Sequence, residues 1–396
     1  MNNSETLREK FKLVFGYQPS YYYFVPYRIC TLGAHIDHQK GIINGFTPDI
    51  GINMVFSPNA GKKVNIYSED YAEKASFDIS NYKIEKGRWI SYSQAALSSL
   101  KDYGYEITRG FDAIISGSFP VGGLSSSAAV TIQYINAFCT AANYHISNDK
   151  LITVAHGAER NHIGLNCGVL DQACIILSKK DSLLYYDTLT GEIESIPFPS
   201  QSKKFRIGIF FSGVEHSLIS SDYNKRTAEL REGFDILRRH TCIKDDSEPV
   251  LRRIPADVFE KYGGELPDNV YRRCLHYYTE MQRVKEGTKL FREGKTEEYG
   301  RLITESGQSS VENYEAGSPE LTALWEILKS TRGVLGARFC GAGFKGNCFA
   351  LTDPDFEIEI EEKVKEAYLR AFPAFKDKYK SVFIGTTDGT GANNSL

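Results

Sequence analysis

The stretch from Gly110 to Cys139 constrains this chain more than any other. GFDAIISG reads as a strand, Pro120-Val121-Gly122-Gly123-Leu124-Ser125-Ser126-Ser127 follows as a glycine-rich turn, and Ala128, Ile132, Ile135 and Cys139 then recur at helical steps. A strand, a tight turn and a helix in that order expose backbone N–H groups at a helix start, where an anion such as a polyphosphate is held. Gly122 and Gly123 let a ligand approach the backbone, and Ser125, Ser126 and Ser127 add hydroxyls, one of which could also ligate Mg2+. The same residues also read as a serine-capped helix after a glycine turn. The Walker pattern is excluded, because no GK[ST] follows.

Strands and helices surround this unit. Tyr21 to Cys30 (YYYFVPYRIC) reads as one strand, TLGAHIDHQKG as a polar loop, and GFTPDIGINMVFSP as strand again. Val64 to Tyr67, Ser182 to Asp187, Lys203 to Ser212, a pair around Gly336 to Leu351 and a last run near Ser381 to Thr386 are further strands. Helical spacing predicts helices over Ile90–Leu100, Leu151–Asn161, Asp222–Arg239, Val270–Thr304 with an internal turn, and Glu357–Ala371. GLNCGVLDQ reads as a loop. A chain of 396 residues suits two domains of ordinary size, and PFPSQSKK marks the expected boundary, giving 1–200 and 201–396.

Charge and cysteine usage narrow the function. With 47 Lys+Arg against 50 Asp+Glu and no long basic cluster, neither nucleic acid nor an anionic membrane is the expected partner. No apolar run approaches the roughly 18 to 20 residues of a membrane helix, and the first residues lack the apolar core of a secretory signal, so the expected location is cytoplasmic. Eight scattered Cys without a CxxC pair, and no HExxH, point to free thiols rather than to disulfides or zinc.

Two more clusters carry chemistry. Gly341-Ala342-Gly343-Phe344-Lys345-Gly346 lies between strand-like runs and reads alone as a hairpin turn, or with the first glycine loop as the other wall of a nucleotide site. Arg28, His35, Asp37 and His38 fall in the first polar loop, and Asp171 falls in CGVLDQ. An Asp that takes a proton from a sugar hydroxyl, beside an Arg that offsets charge, is a minimal apparatus for phosphoryl transfer. Turn caps and surface ion pairs account for the same residues one at a time.

Taken in order, YRICTLGAHIDHQKG, FPVGGLSSSAAV, AERNHIGLNCGVLDQ, HSLISSDYNKR and RFCGAGFKGNCFAL resemble the galactokinase branch of the GHMP small-molecule kinases, and within it the plant-type galacturonokinases. The resemblance implies a two-domain α+β fold with the active site between the domains, ATP and Mg2+ as cofactors, and a sugar or uronic acid as substrate. It assigns Asp171 as the catalytic carboxylate with Arg28 as partner, and Ser127 and Glu159 as Mg2+ ligands with Ser126 as fallback. Gly122, Gly123 and Ser125 would hold the phosphates, with Gly341 and Gly343 bordering them. His35, Asp37, Gly168 and Tyr223 would hold the sugar, and Trp89 or Tyr92 would stack on adenine. A non-catalytic sensor of the same fold is the rival reading, against which the complete set of site residues argues.

Two positions depart from the family pattern. Galactokinases carry Glu where this chain has Ala34, accepting a hydrogen bond from the C6 hydroxyl. A uronate brings a carboxylate there, and two like charges about 4 Å apart repel by roughly 1 kcal/mol in water and about 4 kcal/mol at an effective dielectric near 20. Ala34 removes that repulsion, and suits L-arabinose, which lacks C6, as well as galacturonate. Lys40, His38, Tyr27 and Arg338 are the candidate partners for a substrate carboxylate. The second departure is length: two residues, not three, separate Pro120 from Gly123-Leu124.

Overall fold

The computed structural model describes residues 3–120, 122–200, 202–214, 220–243, 248–343 and 346–390. The first half runs α1 (Asn3–Phe15), β1 (Tyr21–Pro26), β2 (Ile29–Leu32), β3 (Ile42–Phe46), β4 (Gly51–Pro58), β5 (Lys63–Ser68), β6 (Glu73–Asp78), α2 (Ser91–Asp102) and β7 (Phe111–Gly117). It continues with α3 (Ser126–Ala141), α4 (Asn148–Gly157), α5 (Leu170–Leu177), β8 (Ser182–Asp187) and β9 (Ile193–Pro197). The second half runs β10 (Arg206–Phe211), α6 (Ser220–Leu237), α7 (Ala256–Tyr262), α8 (Asp268–Arg292) and α9 (Thr296–Glu312). It ends with α10 (Pro319–Ser330), β11 (Val334–Phe339), β12 (Asn347–Thr352), α11 (Glu357–Ala371) and β13 (Lys380–Ile384).

Three sheets organise these elements, in the orders β1-β4-β7-β5-β6, β2-β3-β8-β9 and β11-β12-β10-β13. Only β5 and β7 pair in parallel, and β6 and α2 form the crossover between them. In the first sheet β4 and β7 are covered on both faces: Val55 and Ile114 meet Leu7 and Phe11 of α1, while α3 packs on the opposite side. This is why MVF and AII are continuous apolar runs rather than alternating ones. α8 and α9 pack on β2 and β3, and one apolar cluster includes Leu32, Ile42 and Phe46 together with Val284, Phe291 and Tyr299. The expected boundary near residue 200 falls between β9 and β10, and this core runs across it.

The expected strand Tyr21–Cys30 is two strands in different sheets. β1 pairs with β4 as far as Pro26, after which the Arg28 N–H turns to the carbonyl of Leu124, 3.2 Å away in the glycine-rich turn. The break delivers Arg28 to that turn. GLNCGVLDQ is likewise shorter as a loop than expected, since the chain re-enters a helix at Leu170 and Asp171 lies in its first turn. The helix expected over Leu151–Asn161 stops at Gly157 and widens into a π-helical turn, Ala158–Ile163, that carries Glu159. α1, α7, α10, β6 and β9 have no counterpart among the expected elements. All eight cysteines are free, with Cys242 exposed and the rest buried or half-buried. Among the described residues no helix is long and apolar enough to cross a membrane.

α9 and β11 meet backbone to backbone. A Cβ on Gly300 would lie 2.2 Å from the Leu335 carbonyl oxygen, and one on Gly336 would lie 2.0 Å from that of Gly300. Gly300→Ala therefore has no side chain to push aside, and it should lower stability by about 1–3 kcal/mol or more through overpacking, despite alanine's better helix propensity. Urea denaturation of the two proteins checks this; a stabilised variant would show that the helix slides freely on the strand.

Candidate active site

Arg28 is where three parts of the chain converge. Its Nε donates to Asp171 Oδ1 at 2.7 Å, and its Nη1 donates to the Gly123 carbonyl at 2.7 Å. Burial opposes the guanidinium charge, but the Asp171 carboxylate outweighs it and raises the Arg28 pKa. Asp171 keeps about a quarter of its side chain exposed, at the inner end of a cleft of about 390 Å³.

The glycine-rich turn forms one wall of that cleft. Gly122, Gly123, Ser125, Ser126 and Ser127 line it, joined by Gly341 from the second half. Ser125 decides between the two sequence readings of this turn. It precedes α3 at a left-handed φ of 59°, its side chain makes no capping bond, and its hydroxyl is buried without a partner. A strained residue with an unspent donor is no ordinary helix cap; it suits a turn shaped for a ligand. Gly123 is required by contact as well as by φ, since a Cβ there would come within 2.4 Å of the Cys340 carbonyl oxygen. Gly343 does not line the cleft, and a Cβ on it would face Phe339 and Ala316. At the outer end the Tyr71 and Trp89 rings lie nearly parallel, 6.0 Å apart, with Tyr92 nearby on the cleft wall.

Glu159 lies behind Ser127. It is 2% exposed, accepts 2.6 Å from Gln172 Nε2, and is hydrogen bonded by the Ser127 hydroxyl. Burial first, and the Asp171 charge second, push its carboxyl up to about 7. A buried acid beside a second acid, with a hydroxyl at hand, is a hard-oxygen setting short of positive charge. Among the described residues there is no cluster of three or more His, Cys, Asp and Glu that could hold a metal. The pair therefore fits Mg2+, which takes few protein ligands and completes its shell with phosphate and water, better than a metal needing an all-protein cage.

On the other side of Asp171 lies the loop after β2. Asp37 is 8% exposed, and its Oδ2 accepts the Leu170 N–H at 3.1 Å. A Cβ on Gly168 would fall 2.3 Å from the same oxygen, so only glycine fits there. His35 is buried at φ 66°, its Nε2 has no partner, and its ring stacks on Tyr314 at 4.2 Å. Burial holds it well below the usual histidine range, hence neutral. Ala34 is buried in a small apolar cluster with Cys30, Leu170 and Cys174. Tyr223 belongs to the first turn of α6, and its side chain lies outside the described residues.

A second-half group that the sequence reading left out holds this loop. From α8, Glu280 Oε1 accepts the Gly33 N–H at 2.8 Å, and His276 Nε2 is 3.1 Å from the Ala34 carbonyl. Arg283 donates to Glu280 Oε2 at 2.7 Å, and Ser306 donates to Oε1 at 2.6 Å. Burial would raise Glu280, yet Arg283, His276, Arg338 and Ser306 bring it down to about 2. Arg338 is fully buried in this network, 3.6 Å from Glu280, which occupies one candidate carboxylate partner. Lys40 turns to Glu248 at 3.9 Å, and the Tyr27 hydroxyl lies near Gly117 and Asp70 on the cleft side. His38 stays by Asp37, 3.7 Å away. The signal for the network was present in HYYTEMQR, where His276, Glu280 and Arg283 form a polar stripe at helical spacing.

Comparison with known proteins identifies the family of the chain. Residues 91–179 match the family model of the GHMP kinases N terminal domain, and residues 288–370 that of the GHMP kinases C terminal. A galacturonokinase of Arabidopsis thaliana is 35% identical, over 88% of this chain and 87% of its own length. A galactokinase of Clostridium perfringens is 31% identical over 98% of both. The structure of Lactococcus lactis galactokinase complexed with galactose superposes with a TM-score of 0.88 at 28% identity, covering 98% of this chain and 99% of that one. A mevalonate kinase of Methanococcus jannaschii, at 15% identity and a TM-score of 0.62, shares the fold.

Glu280→Gln removes a buried charge from among Arg283, Arg338, the Ser306 hydroxyl and the Gly33 N–H, and should destabilise the protein by about 3–5 kcal/mol near neutral pH. Because the folded-state pKa of Glu280 is depressed, its contribution is complete above about 4.5 and is lost as pH falls toward about 2. The stability gap between wild type and variant, measured by urea titration at several pH values, should shrink over that window; a constant gap would count against an ionised Glu280.

Proposed function

The chain belongs to the GHMP kinases, on their galactokinase side, and from that premise we propose that it transfers the γ-phosphoryl group of ATP to the anomeric hydroxyl of D-galacturonate, giving the sugar 1-phosphate. The observation that carries the kinase reading is the Arg28–Asp171 contact, where the glycine-lined cleft meets the loop of His35 and Asp37.

An anomeric hydroxyl brought to Asp171 meets a carboxylate whose position Arg28 sets. Asp171 takes the hydroxyl proton, or orients it, as the oxygen attacks the γ-phosphorus and the bond from that phosphorus to the bridging oxygen breaks, releasing ADP. Arg28, with its other nitrogen on the phosphate loop, offsets charge on the group in transfer. Gly122, Gly123, Ser125 and Ser126 present donors to phosphate oxygens, with Gly341 closing the wall and Trp89 and Tyr71 offering the outer end to the base. Ser127 and Glu159 would hold Mg2+, which neutralises charge on the β- and γ-phosphates when bound. His35, Asp37, Gly168 and Tyr223 take the sugar, with neutral His35 able to donate or accept one hydrogen bond.

Galacturonate is favoured over galactose because of Ala34, which contributes no acid and stands among apolar neighbours. The similarity to a galacturonokinase supports this choice. Turnover of ATP by the purified protein should be faster with galacturonate than with glucuronate, galactose or L-arabinose at equal concentration. Ala34→Glu should lower kcat/KM for galacturonate by about ten- to a thousandfold. Galactose turnover equal to or above that of galacturonate in the wild type would sink the uronate assignment.

Asp171→Asn leaves the shape and removes the charge. It should reduce kcat by roughly 10²–10⁴-fold while nucleotide affinity stays within a few-fold of wild type. Retained turnover in single-turnover kinetics would take Asp171 out of the reaction.

A further inference from the structure

Across the glycine-rich turn before α3, a residue of the second half reaches over to Gly122. Asn347, the first residue of β12, is fully buried and donates its Nδ2 hydrogen to the Gly122 carbonyl at 2.6 Å. It is itself firmly held. Its carbonyl accepts the Cys340 N–H at 2.9 Å, and the preceding Gly346 carbonyl accepts both the backbone N–H and the hydroxyl of Ser212, at 2.9 and 2.8 Å. The backbones touch as well: a Cβ on Gly346 would lie 2.3 Å from the Gly122 carbonyl, and one on Gly122 would lie 2.7 Å from the Gly346 Cα.

Two consecutive carbonyls of the loop are therefore tied by side chains, Gly122 by Asn347 and Gly123 by Arg28. In a planar trans peptide the N–H points opposite to the carbonyl, so tying the two oxygens sets the directions of the Gly123 and Leu124 N–H groups. Among the described residues the N–H groups of Gly122, Gly123, Leu124 and Ser125 have no hydrogen-bond acceptor. The loop presents four unspent donors in an orientation that its own backbone does not determine.

We propose that Asn347 is a positioning residue for the nucleotide: by tying the Gly122 carbonyl it holds the glycine-rich turn in the shape that receives the phosphates. This rests on the reading of the loop as a phosphate site. It makes the second half a part of the nucleotide site through a side chain, not only through Gly341 at its border.

The test uses the full-length protein with Asn347→Asp, which keeps the size and sets an acceptor against the carbonyl, and Asn347→Ala, which leaves the carbonyl untied. Thermal unfolding identifies the folded variants, and calorimetry measures ATP and galacturonate binding separately. Loss of this one bond should weaken ATP binding and raise the KM for ATP by about tenfold or more, with sugar affinity within twofold of wild type. Unchanged ATP affinity in a folded variant, or loss of sugar and ATP affinity in step, overturns the proposal while leaving the kinase assignment intact. A wild type that binds no nucleotide overturns the phosphate-site reading, and the proposal with it.

Discussion

Everything at the centre of this molecule depends on where one guanidinium is put. Arg28 has almost no contact with water, and an arginine removed from water costs several kcal/mol unless its charge and its N–H groups are satisfied. Asp171 and the Gly123 carbonyl provide that satisfaction, and the two acceptors belong to different elements. The requirement thus pulls the start of α5 and the turn before α3 to the same point. The strand break after Pro26 brings Arg28 there, its backbone N–H meeting Leu124 while its side chain meets Gly123. The proposed site for phosphoryl transfer is assembled by the same contacts that make the buried charge tolerable.

The second half of the chain plays the matching part from the other side. Its longest helix, α8, places Glu280 and His276 on backbone groups of two consecutive residues in the loop after β2, Gly33 N–H and Ala34 C=O. Such bonds fix the loop without using the side chains that face a ligand. That matters for His35, whose left-handed backbone would be costly in a loop free to relax, and whose ring is set by Tyr314. The loop of His35 and Asp37 is therefore shaped by α8 residues that do not line the cleft. Mutations at α8 should be expected to look like binding-site mutations.

Much of the fold was legible from local pattern: helical period in α3 and over Glu357–Ala371, and short apolar runs bounded by glycine in β7, β11 and β12. What escaped was decided by contacts between distant residues. YYYFVPYRIC has the composition of one strand, and only the pairing of Arg28 with Leu124 divides it. Asp171 was placed in a loop because GLNCG precedes it, yet the Asp37 carboxylate accepts the Leu170 N–H and so serves the start of α5 from 133 residues away. β6 alternates only weakly, with Ala75 and Phe77 as its two buried residues, and β9 buries Ile196 alone, too little apolar signal to mark either as a strand. Among the described residues, the site residues named from the motifs lie around the cleft and the adjoining loop, apart from Gly343; the Tyr223 side chain is outside the described residues. The residues that hold them, His276, Glu280 and Asn347, sit in segments where helix or strand pattern already explained each residue's presence.

The same geometry bears on how an acidic sugar could be preferred. A carboxylate is usually recognised by a free cation, but the described cations nearest this loop already have acidic partners. Arg28 faces Asp171, Arg338 faces Glu280, Lys40 turns to Glu248, and Arg226 pairs with Glu229 and Glu315. His35 and His276 are held neutral by burial. Preference for a uronate would then come mainly from subtraction, the loss of the acid that Ala34 replaces, aided by neutral donors. Subtraction weakens repulsion without building a strong new attraction, so it shifts the balance between two sugars more than it tightens the hold on either. On this reasoning the discrimination should reside in the ratio of kcat/KM values, with galacturonate itself bound no more tightly than a neutral hexose is bound by a galactokinase.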